Sequence, residues 1–173
     1  MELIYYPNKI LSEKCNPVLT FDSQLKVLAD QMIDILYEKN AVGLAANQIG
    51  VPLSIIVVDP SGGALENQLK ILVNPKIINQ SKEMVLSSEG CLSFPGIEVN
   101  VERPDETWIE YQDLNGNLQK NICRGDNNKI ILHEIDHLNG LTFLDRMKPL
   151  AKKLAIKDYN KFSALKKLIP NYY

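Results

Sequence analysis

The sequence predicts a single α+β domain spanning residues 1–173, in which antiparallel sheets pack around a central helix and one further helix lies toward each end. Three observations lead to this prediction. Helical periodicity recurs in three segments, and strand-like runs are grouped between the first two of them. The 173 residues, 45% of them hydrophobic, suffice for one core but not for two of ordinary size. Strands grouped in this way favour α+β over alternating α/β units.

The N-terminal helix is predicted over residues 22–39. Apolar residues recur there at three- and four-residue steps, and Asp22 and Ser23 are candidate N-caps. Short runs of β-branched and apolar residues follow, separated by turn signals. They predict strands over residues 53–58, 71–73, 84–86 and 107–112.

A hairpin and the central helix are predicted next. The Asn-Gly pair at 115–116 suits a hairpin turn, so a partner strand through Ile122 should follow. From residues 127–128 the apolar spacing becomes helical, and it stops at the Asn-Gly pair 139–140, which is a helix C-terminal signal.

A last helix is predicted from Pro149 to about Leu168, forming a basic C-terminal segment over residues 148–169. Its lysines should face water. Its apolar residues should face the body of the domain: Leu150, Leu154, Phe162, Leu165 and Leu168. The whole chain has a net charge of −2, yet residues 145–173 carry eight Lys/Arg and two Asp, a net of +6. Such a tail is either a solvated helix face or a contact for a polyanionic partner.

Composition narrows the expected setting of the protein. No basic leader followed by an apolar run is visible at the start, and the longest apolar stretch, residues 55–58, is far shorter than a membrane span. Three cysteines, an odd number without framework spacing, favour a reducing compartment. We therefore expect a cytoplasmic protein that has neither a membrane nor DNA as a partner.

The central helix carries the sequence His-Glu-Ile-Asp-His. Because His133 and His137 are four residues apart, their imidazoles project from one helix face and can hold one metal ion. Glu134 is then placed to take a proton from a water molecule at the ion and pass it to a leaving group. The chain has only two histidines, and both lie in this motif. The pattern predicts a metal-dependent hydrolase.

A catalytic site of this kind needs a third protein ligand. Cys91 is the best candidate, because the neighbouring glycine allows a close backbone approach and small or polar residues surround the thiol. Cys15 and Cys123 are expected to be buried as small hydrophobic residues. Three carboxylates remain open as alternative ligands, which would make the site peptidase-like: Glu66, Glu83 and Asp145.

Residues 43–50, Gly-Leu-Ala-Ala-Asn-Gln-Ile-Gly, follow the first helix. Their small side chains would let a substrate lie against bare backbone, and Gln48 is a neutral donor for an oxygen on which charge develops. A small-residue packing turn would have the same composition, so this segment alone does not decide between the two interpretations.

Taken in order, three segments resemble the signature motifs of the peptide deformylases. They are Ala-Val-Gly-Leu-Ala-Ala-Asn-Gln at 41–48, Glu-Gly-Cys-Leu-Ser at 89–93 and His-Glu-Ile-Asp-His at 133–137. The resemblance spans essentially the whole chain, including its length and terminal helix. Asn47 stands where proline is frequent in the family, but no departure removes a catalytic group.

The resemblance implies an α+β fold with the metal helix running between antiparallel sheets. It also implies removal of the N-formyl group from the initiator methionine of new polypeptides, with release of formate. The implied cofactor is one divalent ion, Fe2+ being expected and Zn2+, Ni2+ or Co2+ possible. Its implied ligands are Cys91, His133 and His137.

The same resemblance implies roles for further residues. Water activated at the ion attacks the formyl carbon, with Glu134 as general base and then acid. The Gln48 side chain and the Leu92 backbone N–H stabilise the oxyanion. The residues implied to bind the substrate are Val42, Gly43, Leu44 and Ile130. Asp136 is either a residue that orients the ligands or an ordinary surface acid, and for Arg103 the ordinary structural role is favoured.

The implied partners are N-formylmethionyl nascent peptides and the ribosome near the exit tunnel, contacted through the basic C-terminal helix. Two rival functions are weighed against this one. The first is a zincin-like metallopeptidase with a carboxylate as third ligand. The second is a noncatalytic relative that binds ribosomes or metal.

Overall fold

One helix, seven strands and two further helices follow one another in the computed structural model, which describes residues 1–65 and 68–168. The candidate ligand Glu66 and the last residue of the predicted 148–169 segment lie outside this part. The elements in chain order are α1 Ser23–Glu38, β1 Gly43–Ala45, β2 Ile55–Val58, β3 Lys70–Gln80, β4 Met84–Gly90, β5 Glu98–Pro104, β6 Glu106–Gln112, β7 Leu118–Arg124, α2 Gly125–Leu138 and α3 Pro149–Leu168. The predicted α+β class is confirmed.

Two antiparallel sheets surround α2. The described strands form one sheet in the order β1-β2-β3-β6-β7, and β4 pairs with β5 in a separate ribbon. Helix α2 contacts β1, β2, β6 and β7 of the larger sheet. Strand β1 pairs only with β2, so its other edge is open toward the interior of the protein.

Each helix closes its own part of the hydrophobic core. Under α1, Met32 and Leu36 pack with Leu44 and Val57, while under α2 the side chain of Ile135 packs in a cluster with those of the larger sheet. A third cluster under α3 is aromatic, and its members include Phe94, Phe143 and Tyr159. The core thus holds α2 at the centre, as predicted.

Helix α1 matches its prediction to within one residue at each end. The Asp22 carboxylate caps it by accepting hydrogen bonds from the backbone N–H groups of Gln24 and Leu25, at 2.9 and 3.1 Å. Helix α2 begins slightly earlier than predicted and ends at Leu138, with Gly140 in the left-handed conformation at φ +71°.

The strands are more numerous than the sequence predicted; β3 and β4 are longer than predicted, whereas β2 is shorter. Strand β3 continues through Pro75, because a shift of register between Val73 and Lys76 removes the proline from the hydrogen-bonding ladder. Strands β1 and β5 were not predicted. In β5 every second residue is buried, but one of these is Arg103, and this hides the alternation of apolar residues.

The predicted inward face of α3 is wrong for three leucines but not for Phe162, which is half-buried against Gly96. The side chain of Leu168 lies outside what the structure describes. Leu150, Leu154 and Leu165 are 72%, 52% and 59% exposed. Ala155 and Tyr159 are buried instead, because the Tyr159 ring packs edge-on against Phe94 and Tyr6, and its hydroxyl donates to the Tyr6 carbonyl at 2.8 Å. None of the described helices has the length and apolar character needed to cross a membrane.

Candidate active site

The two histidines of α2 and one cysteine from the segment after β4 converge in the interior. His137 is fully buried, His133 is 7% exposed, and Cys91 follows the end of β4. Their ligand atoms all lie within 4.8 Å of one another, and the Cys91 Sγ lies 3.2 Å from the His137 Nε2. Within the described residues this is the only such group of potential metal ligands.

The three residues fit a divalent metal ion. Tetrahedral coordination with ordinary metal–sulfur and metal–nitrogen bond lengths separates the two ligand atoms by about 3.5 Å, close to the observed distance. The His133 Nδ1 is bound to Glu89 at 2.8 Å, which leaves its Nε2 for a metal. Of the alternative ligands, Glu83 is exposed and Asp145 is bonded to Lys152 and Thr142. The candidate donor set is therefore Cys91, His133 and His137.

A chain of buried charges holds His133 in place. Glu89 accepts two hydrogen bonds from the Arg103 guanidinium, at 2.7 and 2.8 Å, and Arg103 also donates to Asp136 at 2.5 Å. Asp136 is bound in turn by Arg146. Burial alone raises the pKa of the Glu89 carboxyl, but its bonds to Arg103 and His133 outweigh burial and bring that pKa to about 2.

The sequence favoured an ordinary structural role for Arg103, but this side chain is 2% exposed and binds both Glu89 and Asp136 of α2. Asp136 is likewise buried, so it is not a surface acid. Glu89 was not recognised from the sequence as the partner of His133. Its place two residues before Cys91 was the only signal, and the contact is made between residues 44 positions apart.

Glu134 lies beside the ligands and faces the backbone of β1. Its side chain is 3% exposed, and its Oε2 has no hydrogen-bond partner among the described residues. Burial raises the pKa of its carboxyl to about 7, so the group exchanges protons near neutral pH. A Cβ on Gly43 would lie 2.5 Å from the Glu134 Oε1 and 2.8 Å from the Ile130 Cγ2, so only glycine fits there.

Gln48 presents its amide nitrogen to the same site. Its Oε1 accepts from the Ala45 N–H at 2.8 Å, which turns the Nε2 toward the Cys91 Sγ at 3.4 Å and the Ser93 Oγ at 3.2 Å. The adjacent Asn47 donates to the His137 carbonyl at 2.7 Å. The small-residue segment is therefore part of the site and attaches directly to α2.

A cavity of about 450 Å³ opens onto these groups. Val42, Gly43, Leu92 and Ile130 line it, together with Gln48, Cys91, His133 and Glu134. Leu44 does not line the cavity, because its side chain is fully buried in the cluster under α1. The structure thus brings together all the predicted site residues except the Leu44 side chain.

The open edge of β1 runs along this cavity. The Val42 carbonyl accepts from the Asp59 N–H at 2.8 Å, on the β2 side, whereas the Ala45 N–H points away from β2 to Gln48. Because backbone groups alternate in direction along a strand, those of Gly43 point the same way as those of Ala45. They are directed at the cavity and can pair with an extended peptide.

Fold and site together define a class: a small α+β protein with a buried Cys-His-His constellation and an adjacent carboxylate. Comparison with known proteins agrees with this class. The profile of the family described as Polypeptide deformylase matches residues 1–153. The chain belongs to the polypeptide deformylase family, whose named members are enzymes.

Individual relatives support the same assignment. The chain is 40% identical over 147 residues to peptide deformylase 1B, chloroplastic, of Oryza sativa subsp. japonica; this covers 85% of the chain and 55% of that protein. It is 38% identical to a peptide deformylase of Rhizobium meliloti, covering 92% of the chain and 91% of the relative. A crystal structure of peptide deformylase from Plasmodium falciparum is similar with a TM-score of 0.89 and 38% identity, over 97% of the chain and 98% of that chain.

Proposed function

We propose that this chain removes the N-formyl group from the N-terminal methionine of newly synthesised polypeptides, yielding formate and a free amine. The observation that carries the proposal is the position of Glu134, whose buried carboxylate has an unpartnered oxygen beside the Cys91, His133 and His137 donors. Membership of the polypeptide deformylase family supports the same reaction.

One divalent ion held by Cys91, His133 and His137 is the proposed cofactor. Fe2+ is the expected ion, with Zn2+, Ni2+ or Co2+ as substitutes. When bound, the ion would supply Lewis-acid polarisation and lower the pKa of a water molecule. The buried Glu89 carboxylate fixes the ring orientation of His133 and increases its basicity as a ligand.

Glu134 is proposed to move the proton. As the carboxylate it accepts a proton from the attacking water, and as the acid it donates that proton to the departing amide nitrogen. Burial raises the pKa of the Glu134 carboxyl, and this favours the carboxylate accepting the proton of the water. The Gln48 Nε2 and the Leu92 backbone N–H are proposed to stabilise the negative charge on the formyl oxygen.

The substrate is proposed to bind as an extended strand along the open edge of β1. The backbone of Gly43 would pair with the peptide, and the methionine side chain would enter the cavity between Val42 and Ile130. Leu44 contributes through the packing of β1 on α1 and not through its side chain in the cavity.

Formate release tests this function directly. The full chain loaded with iron under anaerobic conditions, or with nickel, should release formate from formyl-Met-Ala-Ser and leave acetyl-Met-Ala-Ser intact. A noncatalytic relative would release none, and a metallopeptidase would cut an internal bond instead. Formate absent from both metal forms would overturn the proposal.

Gly43→Ala should strongly lower the rate of formate release. The new Cβ would meet the Glu134 carboxylate and Ile130 at distances that real Cβ atoms do not show, so the general base must move. A displacement of about 1 Å at such a site costs on the order of a hundredfold in rate. The measurement is kcat/KM for formyl-Met-Ala-Ser.

Gly62→Ala is the control, because Gly62 lies in the exposed turn after β2, does not line the cavity, and a Cβ built there meets nothing within 4 Å. This variant should keep most of its activity. Equal activities of the two variants would contradict the tight fit inferred for Gly43.

The basic helix α3 is proposed to contact ribosomal RNA near the exit tunnel. Lys153, Lys157 and Lys161 are exposed. The leucines of α3 named above are exposed as well, so no described part of the chain covers this side of the helix. Phosphate contacts by lysines are salt-sensitive and need no specific sequence.

Changing Lys152, Lys153, Lys157 and Lys161 to glutamate should weaken co-sedimentation with ribosomes by more than tenfold at low salt, while hydrolysis of short peptides stays unchanged. The same change at Lys26 and Lys120, on other surfaces, is the control. Undiminished co-sedimentation of the α3 variant would argue against this contact.

The cytoplasm is the proposed location. Cys15, Cys91 and Cys123 are all free thiols, and Cys91 must remain reduced to serve as a ligand, which suits a reducing compartment.

A further inference from the structure

One cavity wall carries a buried hydroxyl group that the proposed reaction does not use. Ser87 lies in β4, where residues 87 and 89 are buried and residues 86, 88 and 90 are exposed. Its side chain is fully buried, and it lines the same cavity as Ile130 and His133. Among the described residues, its Oγ has no hydrogen-bond partner.

The position of this hydroxyl relative to the reacting groups follows from the strand. Ser87 and Glu89 share a face of β4 and are separated by about 7 Å along it. Glu89 binds His133, so Ser87 lies one strand repeat away from the residue that orients this candidate ligand. In a bound N-formylmethionine the sulfur is four bonds beyond the amide nitrogen, roughly 5 Å when extended. An extended methionine side chain is therefore long enough to span most of one strand repeat.

A buried hydroxyl without a partner is energetically unfavourable, and native proteins leave few of them. Thr107 provides a comparison, because its Oγ1 is also buried and unpartnered but does not line the cavity. Neighbouring Ser88 instead donates to Glu98 at 2.7 Å. Of these three hydroxyls, only that of Ser87 is both unpaired and carried by a residue that lines the cavity.

We propose that the Ser87 hydroxyl donates a hydrogen bond to the thioether sulfur of the N-terminal methionine and so selects methionine over an apolar side chain of the same shape. The inference rests on the proposed function, since it assumes that the methionine side chain occupies this cavity. A thioether is a weak acceptor, but the bond replaces an unsatisfied donor in a site without competing protein acceptors.

The experiment compares methionine with norleucine, in which a methylene replaces the sulfur. The metal-loaded chain is titrated calorimetrically with the product peptides Met-Ala-Ser and norleucine-Ala-Ser. It is then assayed for formate release from their formylated forms. The unchanged protein should prefer methionine by roughly three- to tenfold in both measurements. Ser87→Ala should reduce both ratios to about one.

Two further variants separate recognition from packing. Ser87→Thr keeps a hydroxyl, so it should retain the preference for methionine even if its added methyl group weakens both peptides. Thr107→Val removes a buried hydroxyl outside the cavity and should leave the ratio unchanged.

The outcomes for Ser87 and for the reaction are distinguishable. Formate release with equal use of methionine and norleucine, or a ratio unaffected by Ser87→Ala, would overturn the role of Ser87 and leave the reaction standing. A methionine preference in calorimetry that Ser87→Ala abolishes, without formate release, would support the pocket and overturn the reaction.

Discussion

Replacing Glu134 with glutamine should lower kcat for formate release by about a thousandfold while the metal content stays at one ion per chain. The amide has nearly the shape of the carboxylate but cannot accept the proton of the attacking water. The three ligand residues are untouched, so the metal should remain bound. The measurements are single-turnover formate release and elemental analysis of the same preparation.

Glu102→Gln is the matched control, since Glu102 is an exposed carboxylate of β5. Its rate should equal that of the unmodified chain. A Glu134→Gln variant with undiminished activity on every substrate would remove the general base from the proposed reaction, and with it the proposal itself.

Cys91→Ala should abolish both metal binding and formate release. The two histidines that remain are too few to hold a catalytic ion tightly, and within the described residues Cys91 is the only side chain that forms a ligand group with both of them. Metal content is measured after gel filtration against a weak chelator, and activity is measured after re-addition of nickel.

Cys15→Ala tests whether loss of any buried thiol has the same effect. Cys15 lies in the cluster under α2, and burial raises its pKa to about 11, so it is an unreactive core residue. This variant should keep its metal. Metal retention by Cys91→Ala, together with cleavage of internal peptide bonds, would instead support the zincin-like alternative.

The helices could be predicted because their signals are local. In α1 the apolar spacing and the Asp22 cap lie within one segment, and α2 ends at an Asn-Gly pair visible in the sequence. Strand β5 could not be predicted, because one of its inward positions holds Arg103, whose partners come from β4 and α2. The inward face of α3 depends on the aromatic cluster around Phe94, which periodicity does not reveal.

The residues of the candidate site also divide into those with a local sequence signal and those defined by contacts between distant residues. The histidines and Glu134 could be identified from spacing alone, whereas Cys91 needed the resemblance of three motifs to distinguish it from carboxylates. Glu89 and Arg103 form their contacts across 14 residues of sequence and across a sheet. A charged residue in a strand is normally expected to face solvent, so the sequence around Glu89 and Arg103 does not indicate that they are buried.

The shortness of β1 has a consequence for how long a peptide stays bound. The strand has three residues, Ala45 already gives its N–H to Gln48, and the neighbouring Val42 carbonyl is bonded to Asp59. On this edge β1 therefore leaves an extended peptide few backbone groups to pair with, namely those of Gly43 and the Ala45 carbonyl. If peptides bind as proposed, so few backbone hydrogen bonds should let each product dissociate quickly, so that one enzyme molecule could act on many chains in turn.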